Sequence, residues 1–212
     1  MAAVDDFLVQ ICNFAMENGD QKRAQGVFER IIGHSNNKRQ EIAQKLADSY
    51  KNEGIYSKAY KYYFKSRNET EICNCLEKII EYGYDSEKDL FIARACLDML
   101  IKSKDLDKTR AIRNHFRTSV GNSALLNFID FLIEALGLQE FGLIKQMATK
   151  DYEKELSRDS SLFEKVNTIC EKYFSGQSIK EVNPMQVSGW LDQSKVEYFF
   201  ITVIEFNRHF SV

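Results

Sequence analysis

The sequence predicts an all-α chain, a right-handed α-solenoid of helical hairpins. Three observations carry this. First, one skeleton occurs twice, 35 positions apart: Ile11, Gly19, Ala24 and Phe28 are answered by Leu46, Gly54, Ala59 and Tyr63. A period in the mid-thirties, with a turn glycine between two short apolar helices, marks a stacked helix-pair architecture. Second, Pro184 is the single proline of 212 residues, so most of the chain can stay helical without interruption. Third, apolar residues recur at helical spacing along most of the length.

The first hairpin is predicted over residues 3–17 and 21–32, the second over 38–52 and 56–66. In the second, Leu46, Ala47, Tyr50, Gly54, Tyr56, Ala59 and Tyr63 follow the tetratricopeptide order of large, small, aromatic, glycine, aromatic, small and aromatic. Ala47 and Ala59 let two helices approach closely, and Gly54 supplies the backbone freedom the turn needs. The first copy has Cys12 and Ala15 at the small and aromatic places. A third step of 35 lands on Asp89, Arg94 and Asp98, so the skeleton does not continue.

Asn68 is placed to cap a helix over 69–82, with Glu71 at the capping-box position and Gly83 closing it. Asp85 or Ser86 starts the next, to about residue 103, with Leu90, Ala93, Leu97, Leu100 and Ile101 on one face. Asp105 opens another to about 117, and Gly121-Asn122-Ser123 reads as a loop. Residues 124–137 are the most apolar helix. Shorter helices follow at 140–150 and 152–157. Ser161 with Glu164 suggests a second capping box before a helix to Phe174 that carries Phe163, Val166, Ile169, Cys170 and Tyr173. The solenoid is thus expected over 1–176, with 177–189 a linker rich in Ser, Gln and Asn. An apolar extension fills 190–212, where Trp190 precedes a helical stripe of Val196, Phe199, Phe200, Val203 and Ile204. That extension is expected to bury its stripe on the solenoid, on another copy or on a partner.

Composition narrows the function classes. Charged residues make up 28% and hydrophobic ones 44%, the net charge is -2, and no basic block stands out, so nucleic acid is not an expected partner. No apolar run is long enough to span a bilayer, and the Met1-Ala2-Ala3-Val4-Asp5-Asp6 start lacks the layout of a signal peptide. The five cysteines, Cys12, Cys73, Cys75, Cys96 and Cys170, are odd in number and sit mostly on apolar faces. This suits small core residues in a reducing cytoplasm. Cys73 and Cys75 lack a second ligand pair at metal spacing. His34, His115 and His209 share no motif, and carboxylates such as Glu77 and Glu153 read as solvated helix faces with lysine neighbours. No catalytic residue, cofactor or metal site is expected.

Four segments carry a resemblance to a known family. They are Ala59-Tyr60-Lys61-Tyr62-Tyr63-Phe64-Lys65-Ser66; Asp85 through Leu97; Leu125-Leu126-Asn127-Phe128-Ile129-Asp130-Phe131-Leu132; and Ser157-Arg158-Asp159 through Gly176. In order and spacing, over roughly residues 5–185, they resemble the second half of the Golgi-to-ER traffic protein four family. That family is the α-solenoid scaffold of tail-anchored membrane-protein targeting. The resemblance implies a non-enzymatic cytoplasmic adaptor. Its C-terminal half would hold a ubiquitin-like-domain protein by that protein's N-terminal segment, and in animals also a BAG-type scaffold. Its N-terminal half would dock a targeting ATPase, provided that further helices precede Met1. The chain departs from the family in three places. The first helices have no counterpart, only residues 117–123 fill the place of a partner-clasping insertion, and the tail from Trp190 has no match.

On this resemblance the partner segment lies against the C-terminal helices, on Phe128, Phe131, Leu132 and Ala135, with Phe116 and Phe174 as neighbours. Leu125, Phe128, Ile129, Phe131, Leu132 and Leu136 make the 124–137 helix apolar over more than one face. A surface helix needs one such face, so the extra one must touch a second helix or a partner. A generic tetratricopeptide-like module binding a peptide terminus is the alternative expectation. An all-helical hydrolase or transferase is a third.

Overall fold

A computed structural model of the chain describes residues 2–31 and 36–179. Of the linker expected over 177–189 only 177–179 is described, where Ser178 Oγ and Ile179 N both donate to Asn167 Oδ1 and Ile179 is buried; the rest of it with Pro184, the extension with Trp190 and His209, and His34 lie outside the described residues. Among the described residues every regular element is a helix, and none is a strand. The chain divides into two compact units, Met1–Lys88 and Asp89–Val212.

The first unit holds α1 (Ala2–Glu17), α2 (Gln21–Ile31), α3 (Asn36–Asn52), α4 (Tyr56–Ser66) and α5 (Glu69–Glu81). The 35-residue echo is physical. Gly19 and Gly54 both adopt left-handed backbone, at φ +73° and +74°. Each closes its helix with the same pair of bonds: Gly19 N to Met16 O (3.0 Å) and Asp20 N to Ala15 O (2.8 Å), against Gly54 N to Lys51 O (2.9 Å) and Ile55 N to Tyr50 O (2.9 Å). This is the Schellman closure, whose central residue a side chain rarely accommodates. Burial repeats in step, because Cys12 and Ala47, Ala15 and Tyr50, Ala24 and Ala59, and Phe28 and Tyr63 are all buried. The small residues let the paired helices touch: Cys12 Sγ lies 3.6 Å from Ala24 O.

Helix α3 packs against α4, and α4 against α5. Tyr63 of α4 donates to Asp48 of α3 at 2.7 Å, and Lys51 of α3 pairs with Glu71 of α5 at 2.5 Å. Asn68 caps α5 as expected, accepting from Glu71 N at 3.2 Å. The Glu71 carboxylate is turned to Lys51 and Asn74, so only half of the capping box forms. A lysine across the helix pair offers a charged partner that outcompetes a backbone amide.

The second unit holds α6 (Lys88–Ser103), α7 (Leu106–His115), α8 (Ala124–Gly137), α9 (Phe141–Gln146), α10 (Glu153–Leu156) and α11 (Ser160–Tyr173). A single 3-10 turn, Asp85–Glu87, precedes α6. The helix expected over 140–150 breaks in two. After α9 the backbone widens into a π turn, Met147–Asp151, closed by Tyr152 N to Met147 O at 2.8 Å. Helix α7 stops at His115, two residues short of the expected end. Helix α11 is capped by Asp159, not by Ser161. The Asp159 carboxylate accepts from Ser161 N and from Ser161 Oγ, both at 2.9 Å, and from Arg94 Nε of α6 at 2.6 Å. An ionised cap fixed by an arginine is stronger than a hydroxyl one.

Helix α6 is tied by charge to α11 and to the turn that leads into it. Asp89 takes a two-pronged bond from Arg158, Arg94 meets Asp159, and Asp98 meets Lys165. At the far end Lys104 donates to Lys172 O (2.6 Å) and Lys172 to Ile101 O (2.9 Å), so each lysine satisfies a carbonyl at the end of the other's helix. The expectation that carboxylates merely line solvated faces therefore fails on α6, where they meet cations 65 or more residues away.

Candidate docking face on helix α8

Helix α8 begins where Ser123 Oγ accepts from Leu126 N at 3.2 Å. Eight of its residues are buried: Leu125, Leu126, Phe128, Ile129, Leu132, Ile133, Ala135 and Leu136. The pattern leaves one strip outward. Asn127, Asp130, Phe131 and Glu134 are half-buried, and Leu138, just past the helix, is 60% exposed. Their spacing of i, i+3, i+4, i+7 and i+11 puts them on one line.

Helix α7 and the turn after it set a row of arginines beside that strip. Arg110 bridges Glu134 Oε1 (3.0 Å) and Asp107 Oδ1 (3.2 Å). Arg113 Nε lies 3.1 Å from Asp130 Oδ1, and its Nη2 donates to Asn122 Oδ1 at 3.1 Å. Arg117 Nη2 reaches Asp130 Oδ2 at 3.4 Å. The Arg113 side chain is 1% exposed, and its Nη1 has no hydrogen-bond partner. Burial pushes the Asp130 carboxyl up, and the charges of Arg113 and Arg117 pull it part of the way back. Tyr152 flanks the strip, its ring 5.5 Å from Phe128 and 6.2 Å from Phe131.

The six residues expected to bind a partner do not share one surface. Phe128, Leu132 and Ala135 are fully buried, and Phe116 is 1% exposed. As the helices sit, these four position α8 and do not line a groove. Phe131 lies on the outward strip. Phe174 is half-buried against Phe141 of α9, with ring centroids 5.4 Å apart. The second apolar face of α8 is taken up inside the protein, because α7, α9 and α10 all pack on it.

The residues that fringe Phe131 were not singled out from sequence, although a signal was present. Asn127, Asp130 and Glu134 are the polar positions of an apolar helix at i, i+3 and i+7, and Arg110, Arg113 and Arg117 repeat that spacing from α7 into the turn after it. Together they form an aromatic ridge with a charged border, suited to holding a peptide or helix.

Among the described residues no group of three or more His, Cys, Asp or Glu is placed to hold a metal. The five cysteines are buried and none forms a disulfide. Burial pushes the thiols up, to about 11 for Cys12 and Cys75 and about 12 for Cys73 and Cys170, so they stay protonated at neutral pH.

A family described as Golgi to ER traffic protein 4 matches this chain over residues 5–187. A Golgi to ER traffic protein 4 homolog of Dictyostelium discoideum is 31% identical over 136 residues, which are 61% of this chain and 42% of that protein. The match therefore spans less than half the length of the relative.

Proposed function

The chain belongs to the Golgi to ER traffic protein 4 family, and from that premise we propose that it is a non-enzymatic scaffold in the cytosolic targeting of tail-anchored membrane proteins to the endoplasmic reticulum. Membership itself carries a role in Golgi-to-ER traffic. The finer reading is that the helical hairpins wind as a right-handed, tetratricopeptide-like solenoid. The second unit then holds a ubiquitin-like co-chaperone by its N-terminal segment. A BAG-type scaffold is a further partner, and a targeting ATPase is one only where further helices precede those described. No helix among the described residues is long and apolar enough to cross a membrane, which suits a subunit that hands on an anchor without inserting itself.

The observation that carries the reading is the family match, which includes the whole of α8. The strip of Asn127, Asp130, Phe131, Glu134 and Leu138 supports it as a docking line. Phe131 supplies the apolar anchor, Arg110 and Arg117 supply the rim, and the buried Arg113 holds Asp130 in place. The test is coexpression with a ubiquitin-like partner followed by size-exclusion chromatography. A stable 1:1 complex at micromolar concentration is expected, and Phe131→Asp should weaken it at least about tenfold. Failure of the unaltered chain to form the complex would sink the proposal.

The repeated hairpin of Gly19 and Gly54 favours a second reading, a generic tetratricopeptide-like module. Such a module would bind an isolated peptide terminus, where the scaffold reading requires the ubiquitin-like protein.

A further inference from the structure

The last described residues of the chain sit on α11 as a bound segment would. Helix α11 ends at Tyr173, and Gly176 N donates back to Glu171 O at 2.8 Å. Ser175 and Gly176 take left-handed backbone in succession, at φ 55° and 88°, and the chain reverses. Residues 177–179 return beside the helix to Asn167, which lies about 9 Å along the axis from Tyr173. Ser175, Gly176 and Gln177 are exposed, whereas Ile179 is 1% exposed. Ile179 is thus the apolar anchor of this strap.

Asn167 supplies the polar half of the seat. It is 5% exposed, and only three other polar or charged residues among the described ones are buried. Those three join helices or cap them: Asp89 meets Arg158, Arg113 meets Asp130, and Thr109 donates to Asp105 O at 2.8 Å one turn back. Asn167 is directed instead at an extended segment. Its Oδ1 accepts from Ser178 Oγ at 2.7 Å and from Ile179 N at 2.9 Å. Its Nδ2 donates to Glu171 Oε1 at 2.6 Å, which fixes the end of the amide that faces the strap. The amide therefore reads a main-chain N–H and the hydroxyl before it. A buried carbonyl oxygen left without donors is costly, so a site vacated by the strap calls for another N–H in its place. Side-chain recognition of an extended backbone, with one apolar anchor beside it, is how a helical surface holds a short peptide.

We propose that Asn167 and the seat of Ile179 form a peptide-binding site on α11. The chain's own Ser178–Ile179 strap fills it in cis, and an extended partner segment with a hydroxyl residue followed by an aliphatic one fills it in trans. The strap itself identifies the occupant, since it is the segment the site holds. A short tether gives the strap an effective concentration of about millimolar, so a partner displaces it only by adding contacts beyond these two residues. The strap is in that sense an autoinhibitory contact. The proposal uses no residue of the α8 strip and does not depend on that reading.

The test is fluorescence anisotropy of a labelled, end-capped peptide with the sequence of residues 175–181, titrated with full-length chains. In Ile179→Asp the strap cannot seat, and the peptide should bind this variant at least about tenfold more tightly than it binds the unaltered chain. Adding Asn167→Ala to Ile179→Asp should remove that gain, and a peptide with Asp in place of its Ile should not bind. A second measurement needs no variant. In hydrogen exchange of the unaltered chain the Ile179 amide should be protected, and about 5 mM unlabelled peptide should speed its exchange at least about twofold while leaving the Ile169 amide unchanged. The proposal is overturned if the peptide binds Ile179→Asp no better than the unaltered chain, or if Asn167→Ala leaves the gain intact. It is equally overturned if the peptide does not alter exchange at Ile179.

Discussion

Arg158→Ala should destabilise the second unit by about 2 kcal/mol, a value between the limits for exposed and buried ion pairs. Asp89 is 8% exposed and accepts from Arg158 Nη1 at 2.8 Å and Nη2 at 3.0 Å. Unit charges about 4 Å apart attract by about 4 kcal/mol at an effective dielectric near 20, before desolvation is subtracted. The arginine side chain remains 31% exposed, so solvent screens part of that attraction. Truncating it also leaves a buried carboxylate without its fork. For a chain of this size a loss of about 2 kcal/mol lowers Tm by about 4–8 °C. The assay is urea and thermal unfolding of the unaltered chain, Arg158→Ala, Asp89→Asn and the double variant. A coupling energy of about 2 kcal/mol is expected from the cycle, and one below about 0.5 kcal/mol would show that the fork contributes nothing. Burial raises the Asp89 carboxyl, but the bonds from Arg158 and Ser123 and the Arg158 charge outweigh it and hold the group below its ordinary range. Its folded value is thus lower than its unfolded value. The stability it contributes is full above about pH 4 and is lost as pH falls through the folded value, so Asp89→Asn should flatten the acid side of the stability profile.

Three further outcomes are expected. Gly54→Ala and Gly19→Ala should each cost about 1–2 kcal/mol in denaturant unfolding, since both sit at positive φ with nothing within 4 Å of an added Cβ; a cost above about 3 kcal/mol at either would mean a clash that the geometry excludes. Phe128→Ala should cost about 3–5 kcal/mol of stability, whereas Phe131→Ala should stay within about 1.5 kcal/mol and act instead on partner binding; equal losses of stability would refute the assignment of Phe131 to the outward strip. The buried thiols should resist alkylation in the native state near neutral pH and react on unfolding, and rapid native labelling of Cys12, Cys73, Cys75 or Cys170 would contradict their burial.

The helices were legible because their signals are local. Asn68 and Asp105 cap helices as read, and Gly19 and Gly54 turn the chain where the skeleton places them. Other ends were not legible. Arg67, Lys104, Gln139 and Ser175 also take left-handed backbone, though none is a glycine. At Gln139 the Schellman bonds are complete, with Gln139 N to Leu136 O at 3.2 Å and Glu140 N to Ala135 O at 2.9 Å. At such a site the bonds and the packing of the flanking helices offset the backbone cost, so the sequence shows no marker. The cap of α11 moved from Ser161 to Asp159 for a similar reason, because Arg94 on another helix holds the carboxylate.

The sequence by itself determined the all-helical class, the hairpin register of 35, the apolar character of α8 and the family. The first three follow from residue spacing along the chain, which fixes backbone conformation and which residues share a helical face, and the family from the likeness of four segments to a known one. Only the tertiary structure decided which face of α8 looks outward, that Phe128, Leu132 and Ala135 serve packing while Phe131 stays at the surface, and that Asp89, Arg94 and Asp98 pair with residues more than sixty positions away. A helical period defines faces but not neighbours. Whether an apolar face becomes core or a charge finds a partner depends on which other helix lies against it.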